Sequence, residues 1–249
     1  ADGFTLVTDS GPYNASGGEY IYAAFADTRE AAFWLDQSGN DNDWQPVNLD
    51  HNDTVADSPT DNFATLNPLF VSPNVSLKDG NLVLDDSSGF NDSAMTTMQM
   101  TSGKWYWEVT PSTIAATRYV RVGISKDNIT ITDPVGAGAD EYAYQSNTGE
   151  KFNNNSGTSY GATWTVGDTI GTAFDADAGT LEFYKNGTSQ GTAYTGLTGG
   201  EFFPCIACRS SVMAINFGQQ PFTYTPPTDY LALSTANLPD PVIDPAQGS

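Results

Sequence analysis

Two aspartates, Asp175 and Asp177, stand two residues apart in "VGDTIGTAFDADAGTLEFYKNG" (166–187), between runs that read as β-strands. As a glycosidase pair they would have to flank a substrate at about 5 to 9.5 Å, one of them kept protonated by burial. Both project from one strand face, so the spacing is feasible, but a solvated turn keeps both ionised. As a calcium loop of the EF-hand kind, the stretch puts Gly179 where an oxygen ligand belongs and Asn186 where the closing acid belongs. The remaining reading is structural: Ile170, Thr172 and Phe174 face inward, residues 175–179 turn, and Leu181 and Phe183 return on the core side.

Cys205 and Cys208 form a CxxC in "FFPCIACRSS". A redox CxxC opens a helix after a strand, and a zinc site needs about four ligands; neither context is present. On a strand, residues three apart point to opposite faces, so a local disulfide would be strained. His51 is the single histidine and lies in a polar stretch, which leaves Ser-His-Asp or Cys-His catalysis without a supporting constellation. No catalytic residue, metal site or cofactor is expected. Asn-x-Ser/Thr sequons at Asn14, Asn52, Asn74, Asn91, Asn128, Asn154 and Asn186 arise by chance in a chain this rich in Asn, Ser and Thr. They matter only on a eukaryotic secretory route.

The elements that hold these residues are short and β-like. "KWYWEVTP" (104–111) alternates Trp105, Trp107 and Val109 with Tyr106 and Glu108, and "YVRVGIS" (119–125) sets Val120, Val122 and Ile124 against Tyr119 and Arg121. Both read as half-buried strands. "DTIGTAF", "TLEFYKNGTSQGTAY", "EFFPCIAC" and "MAINFG" add more, with Asn186-Gly187 as a type I′ hairpin turn. The helix-like pattern is confined to 27–37, one to two turns at most. Short strands with turn signals every ten or so residues indicate an all-β antiparallel sandwich.

Composition narrows the partners. The 249 residues carry 9 Lys+Arg against 30 Asp+Glu, a formal net charge of −21, which repels nucleic acid and anionic membranes. Aromatics at 12% separate the chain from disordered acidic tails. No apolar run approaches the roughly 20 residues of a membrane span, and residues 1–25 lack the pattern of a signal peptide. The start "ADGFTLVTDSG" has no initiator Met, so a fragment of a longer polypeptide is expected. Residues 31–64 read as a polar connecting segment and 225–249, with five prolines between Pro226 and Pro245, as a proline-rich linker or tail.

Five stretches then fall in a known order: "GKWYWEV" (103–109), "VRVGIS" (120–125), the 166–187 hairpin, "FFPCIA" (202–207) and "AINFGQQPF" (214–222). Together they resemble a SPRY (B30-type) domain over residues 65–224. The resemblance implies a bent two-sheet, concanavalin-like sandwich that binds proteins through loops at one end and needs no active site or cofactor. Residues 3–27 are similar to the closing strands of a jelly-roll module of bacteriophage tail and fibre-like proteins, so 1–30 is read as the edge of a preceding module. Residues 57–69 and 231–241 likewise resemble segments bordering SPRY domains in tailed-phage virion proteins. The expected setting is a virion or tail-associated, extracellular protein, possible homo-oligomers included, whose partners are other virion proteins or a host surface protein or glycan.

For the binding surface, the stretch 140–164 stands out. Tyr142, Tyr144, Asn153, Asn154, Asn155 and Tyr160 combine rigid aromatic area with adaptable amides, as in loops that bind proteins or glycans. A polar loop with core-directed tyrosines is the competing reading. Arg118 and Arg121 are notable in a chain with so few cations, because arginine anchors interfaces; either could instead pair with a neighbouring carboxylate. A carbohydrate-binding module is the alternative function.

Overall fold

The computed structural model describes residues 61–238 apart from Phe90. The jelly-roll edge at 1–30, the helix-like patch at 27–37, His51 and the last eleven residues therefore lie outside the described residues.

The chain enters through β1 (Leu66–Val71), β2 (Val75–Lys78), β3 (Val83–Asp86) and β4 (Asp92–Thr96). The aromatic run forms β5 (Lys104–Ile114), followed by β6 (Arg121–Ser125), β7 (Glu141–Gln145), β8 (Glu150–Asn153) and β9 (Ser156–Ser159). Then come β10 (Ile170–Asp175), β11 (Thr180–Lys185), β12 (Thr188–Tyr194), β13 (Phe203–Cys208), β14 (Ser211–Asn216) and β15 (Leu231–Ala232). A single 3-10 turn, Thr235–Asn237, follows the last strand. One sheet has the order β1-β4-β13-β6-β7-β8-β9 and the other β12-β11-β10-β5-β14-β3-β2, with β15 also on β5. Every pairing is antiparallel except β15 with β5. The all-β sandwich expected from the alternating strands is what forms.

The core lies between the sheets. Trp105, Trp107 and Val109 of β5, Ile170 and Phe174 of β10, and Leu181 and Phe183 of β11 meet Val122, Ile124, Tyr144 and Ile206 of the facing sheet. Each such side chain contributes about 1.5 to 3 kcal/mol when fully withdrawn from water. The register sets Thr172 opposite Trp107 on one side and Phe183 on the other. Close approach of strands adds a constraint at Gly123, where a Cβ would fall 1.9 Å from the Tyr142 carbonyl oxygen.

Strands expected to be half-buried are covered on both faces. On the outer side of β5, Tyr106 is 1% and Glu108 2% exposed, because residues 222–224 fold over them. The Glu108 carboxylate accepts from the backbone N–H groups of Thr223 (2.8 Å) and Tyr224 (2.9 Å) and from the Tyr106 hydroxyl (3.1 Å). Phe222 packs edge-on against Tyr106 with centroids 5.0 Å apart. On the outer side of the other sheet, Ile129 and Val135 from the β6–β7 connection cover Met95, Ala143, Cys205 and Ala207.

The packed unit continues beyond the expected edge at residue 224. β15 runs parallel to β5, with Leu231 opposite Trp105, and takes up the part of β5 that β14 does not reach. Leu233 is fully buried, and Ser234 bridges to Phe63. Pro226 and Pro227 precede this strand rather than interrupt it. The Asn186-Gly187 turn has φ of 49° and 75°, the two positive values that a type I′ hairpin requires.

Inside the core, the Thr172 hydroxyl is fully buried without a hydrogen-bond partner. An unmet buried hydroxyl costs roughly 1 to 3 kcal/mol. Thr172→Val keeps the shape and removes the hydroxyl, so it is expected to raise unfolding stability by about 1 kcal/mol. Thr172→Ser, which keeps the hydroxyl and drops a methyl, is expected to lower it. Urea denaturation followed by tryptophan fluorescence distinguishes the two directions.

Candidate functional site

The opening carboxylates take structural roles. Asp175 accepts from the Ala178 N–H (2.8 Å), stapling the β10–β11 turn, and lies 3.8 Å from Lys104. Asp177 accepts from the Gly103 N–H (3.1 Å) at the start of β5. The pair thus joins a hairpin to its neighbouring strand. Cys205 and Cys208 are free thiols on opposite faces of β13, one in each apolar cluster. Burial pushes both thiols well above their ordinary range.

The stretch 140–164 is a three-strand meander, not a loop, and it uses most of its nominated side chains internally. Tyr144 is fully buried, ringed by Tyr160, Phe183 and Trp164 at centroid distances of 5.2, 5.3 and 5.9 Å. Its hydroxyl donates to the Ala162 carbonyl, and burial pushes its pKa up to about 12. The Tyr160 hydroxyl donates to the Gly191 carbonyl and accepts from the Phe183 N–H at 3.2 Å. Tyr142 lies edge-on to Tyr194 (5.0 Å) and Phe202 (6.0 Å). The Asn153 amide donates to the carbonyls of Ala139 (2.8 Å) and Glu141 (2.9 Å). Asn154 and Asn155 are exposed turn residues with φ of 49° and 56°, their N–H groups bound to Gly138 and Gly136. The structure therefore corrects the tyrosine and asparagine surface: Tyr144 belongs to the core, and Tyr160 and Asn153 hold connections together.

Arg121 is likewise internal. It is 4% exposed, donates from Nε to Gln145 Oε1 (2.7 Å) and from a terminal nitrogen to the Val135 carbonyl (3.1 Å), and stacks 3.7 Å from the Phe152 ring centre. Burial lowers its pKa. Its work is to fasten the β6–β7 connection to the sheet, which excludes it as an exposed anchor.

Arg118 is placed differently. It lines a hollow of about 350 Å³ together with Ile114, Asn147, Trp164, Asp168 and Lys185. The β5–β6, β7–β8 and β9–β10 connections converge there. They are tied by the Val120 N–H to Ser146 Oγ (3.1 Å), the Ser146 N–H to the Val120 carbonyl (3.0 Å) and the Trp164 N–H to the Ser146 carbonyl (2.9 Å). Trp164 is 3% exposed. The missed contributors, Asn147, Trp164, Asp168 and Lys185, come from the β7–β8 connection, the β9–β10 connection and the end of β11; only Trp164 carried a local signal, a large aromatic in a polar turn-rich stretch.

Asp168 braces this hollow. Burial alone would raise its pKa, but hydrogen bonds from Asn186 Nδ2 (2.7 Å), the Thr165 N–H (2.9 Å) and Lys185 (3.2 Å) outweigh it and hold the carboxyl below its usual range. Lys185 also donates to the Thr163 carbonyl at 2.8 Å. Among the described residues, no three His, Cys, Asp or Glu side chains are grouped to hold a metal ion. A rigid sandwich with connections gathered at a concave end is the architecture of a binding module.

Comparison with known proteins gives a domain match within the chain. The model of the SPRY domain matches residues 104–220. The E3 ubiquitin-protein ligase RKP of Arabidopsis thaliana is 32% identical over 150 residues, covering 57% of this chain and 11% of the ligase, so the chain spans a small part of that relative. In fold, the human HERC1 SPRY domain superposes with a TM-score of 0.56 at 21% identity, covering 63% of this chain and 99% of that one. Stonustoxin gives 0.51 at 21% identity over 62% of this chain and 26% of its own. Residues 104–220 thus match the SPRY domain, and the two-sheet fold is that of solved SPRY structures.

Two outcomes follow from the site. A carboxyl held below its unfolded value stabilises the fold above about pH 4 and loses that contribution as pH falls through its own lower value. Asp168→Asn is therefore expected to cost about 1 kcal/mol at pH 7, with the gap to wild type narrowing as pH falls below about 4 in denaturant titrations. For the thiols, Ellman's reagent is expected to leave both cysteines unmodified in the native protein and to titrate both in denaturant.

Proposed function

We propose that this chain is a non-catalytic docking module whose loop-end hollow receives a segment of a partner protein. The observation that carries the reading is the hollow itself: three connections are hydrogen-bonded into a fixed frame around Trp164 and Arg118, so the surface is organised before any partner arrives. Preorganisation reduces the ordering cost of association.

The setting we propose is a tailed-phage virion, outside the cell, with another virion subunit or a host surface protein as partner. Its support is the likeness of residues 3–27, 57–69 and 231–241 to segments of such proteins. The ligase relative shares a stretch of 150 residues, and its activity is not carried over. A glycan-binding role loses its aromatic platform, since the Tyr144 ring is in the core and the Tyr160 hydroxyl is spent on backbone groups.

A photo-cross-linking residue at Asn147, on the rim of the hollow, tests the reading against one at Thr192 on the exposed face of β12. With dissociated tailed-phage subunits or host envelope proteins, the residue-147 variant is expected to give one dominant adduct that unlabelled chain competes away. Equal labelling from position 192 would remove the hollow as the docking site.

A further inference from the structure

We infer that the hollow selects its partner through a single carboxylate, an Asp or Glu side chain in an otherwise neutral extended segment, with Arg118 as the pairing cation. The inference rests on the docking reading above and specifies what is docked.

Charge accounting is the first support. In a chain with 30 acidic residues and 9 cations, a free guanidinium should be captured internally. The other described cations are committed: Lys78 to Asp85, Lys104 to Asp175, Lys126 to Asp140 and Lys185 to Asp168. Lys151 donates to the Ala193 carbonyl, Arg209 to the Gly89 carbonyl, and Arg121 to Gln145 and Val135. Among the described lysines and arginines, Arg118 alone has neither a side-chain hydrogen bond nor an ion pair. It is half-buried, and its backbone N–H is fixed to the Ala115 carbonyl at 3.0 Å, so the side chain leaves from a closed turn.

A second, independent observation is the Trp164 indole N–H, which is buried without an acceptor in the wall of the same hollow. An indole nitrogen only donates. The single carboxylate present, Asp168, already accepts from Thr165, Asn186 and Lys185. The hollow thus holds one unspent cation, Arg118, against an indole wall and no unspent carboxylate, and the group that complements it is anionic. A planar guanidinium grips a carboxylate through two parallel hydrogen bonds, shielded here by the indole wall.

The charge of −21 restricts the form of that acceptor. A run of acids, or a dianionic phosphate, meets repulsion from the rest of the surface before it reaches Arg118. One carboxylate among neutral residues meets little, since screening extends only about 8 Å at physiological salt.

The test uses the 249-residue chain and a displayed library of random hexapeptides, followed by fluorescence polarisation with synthetic peptides. Selected peptides are expected to share one Asp or Glu in neutral flanks. Changing it to Asn or Gln should weaken binding about ten-fold or more, as should Arg118→Ala, while Arg118→Lys restores part of the loss. Circular dichroism and the denaturation midpoint of the variants establish that they fold. Peptides that need Asn147 but share no acid, or that bind Arg118→Ala undiminished, overturn the carboxylate inference and leave the docking reading standing. Phosphoserine binding more tightly than the acid also overturns it. If no peptide is enriched, or enriched peptides ignore Asn147→Arg, both readings fall.

Discussion

The fold depends on the burial of β5 on both of its faces. Its inward side carries the indoles of Trp105 and Trp107 into the core, while its outward side carries a carboxylate, Glu108, that is just as completely removed from water. An unpaired charge there would be costly. It is tolerated because the Thr223 and Tyr224 N–H groups and the Tyr106 hydroxyl converge on it. The chain after β14 is therefore held in place by the strand it covers, and the second sheet becomes a layer with apolar contact on one side and a satisfied polar seam on the other.

The first sheet answers the same problem with Arg121. Its guanidinium lies under the β6–β7 connection, held by Gln145, by the Val135 carbonyl and by the face of Phe152. With both outer faces fastened by a buried charge, the concave end near Trp164 offers side chains that the protein has not already used. Scaffold and recognition are separated by how charged side chains are spent: Glu108 and Arg121 are committed under the outer faces of the sheets, and Arg118 is left at one rim.

Much of the frame was legible in the sequence because inward positions on β5, β6, β10 and β11 alternate cleanly, and because Asn186-Gly187 leaves few choices of turn. The meander β7–β8–β9 was not. Glu141, Gln145 and Lys151 supply polar residues where a strand would show apolar ones, and Asn153 to Ser156 read as turn residues, which in part they are. The assignment of Tyr144 and Arg121 to a surface failed for a related reason. Exposure of a strand's outer face depends on whether a distant segment lies over it, and nothing local to "YVRVGIS" announces that residues 126–140 do so. Arg118 and Trp164, 46 positions apart by number, are joined by the convergence of connections that only the strand order creates.

The parallel pairing of β15 with the first part of β5 also sets an order of events in time. Leu231 meets Trp105, and Ser234 meets Phe63, so the sheet closes with contacts between residues far apart along the chain. Such closures are slow, because the entropy of a long loop must be lost before the contact forms. During synthesis, the edge of β5 beside its two tryptophans stays without this partner until nearly the whole described region has left the ribosome. In that interval the seam later sealed by β15 is the place where a nascent chain would need protection from pairing with a stranger.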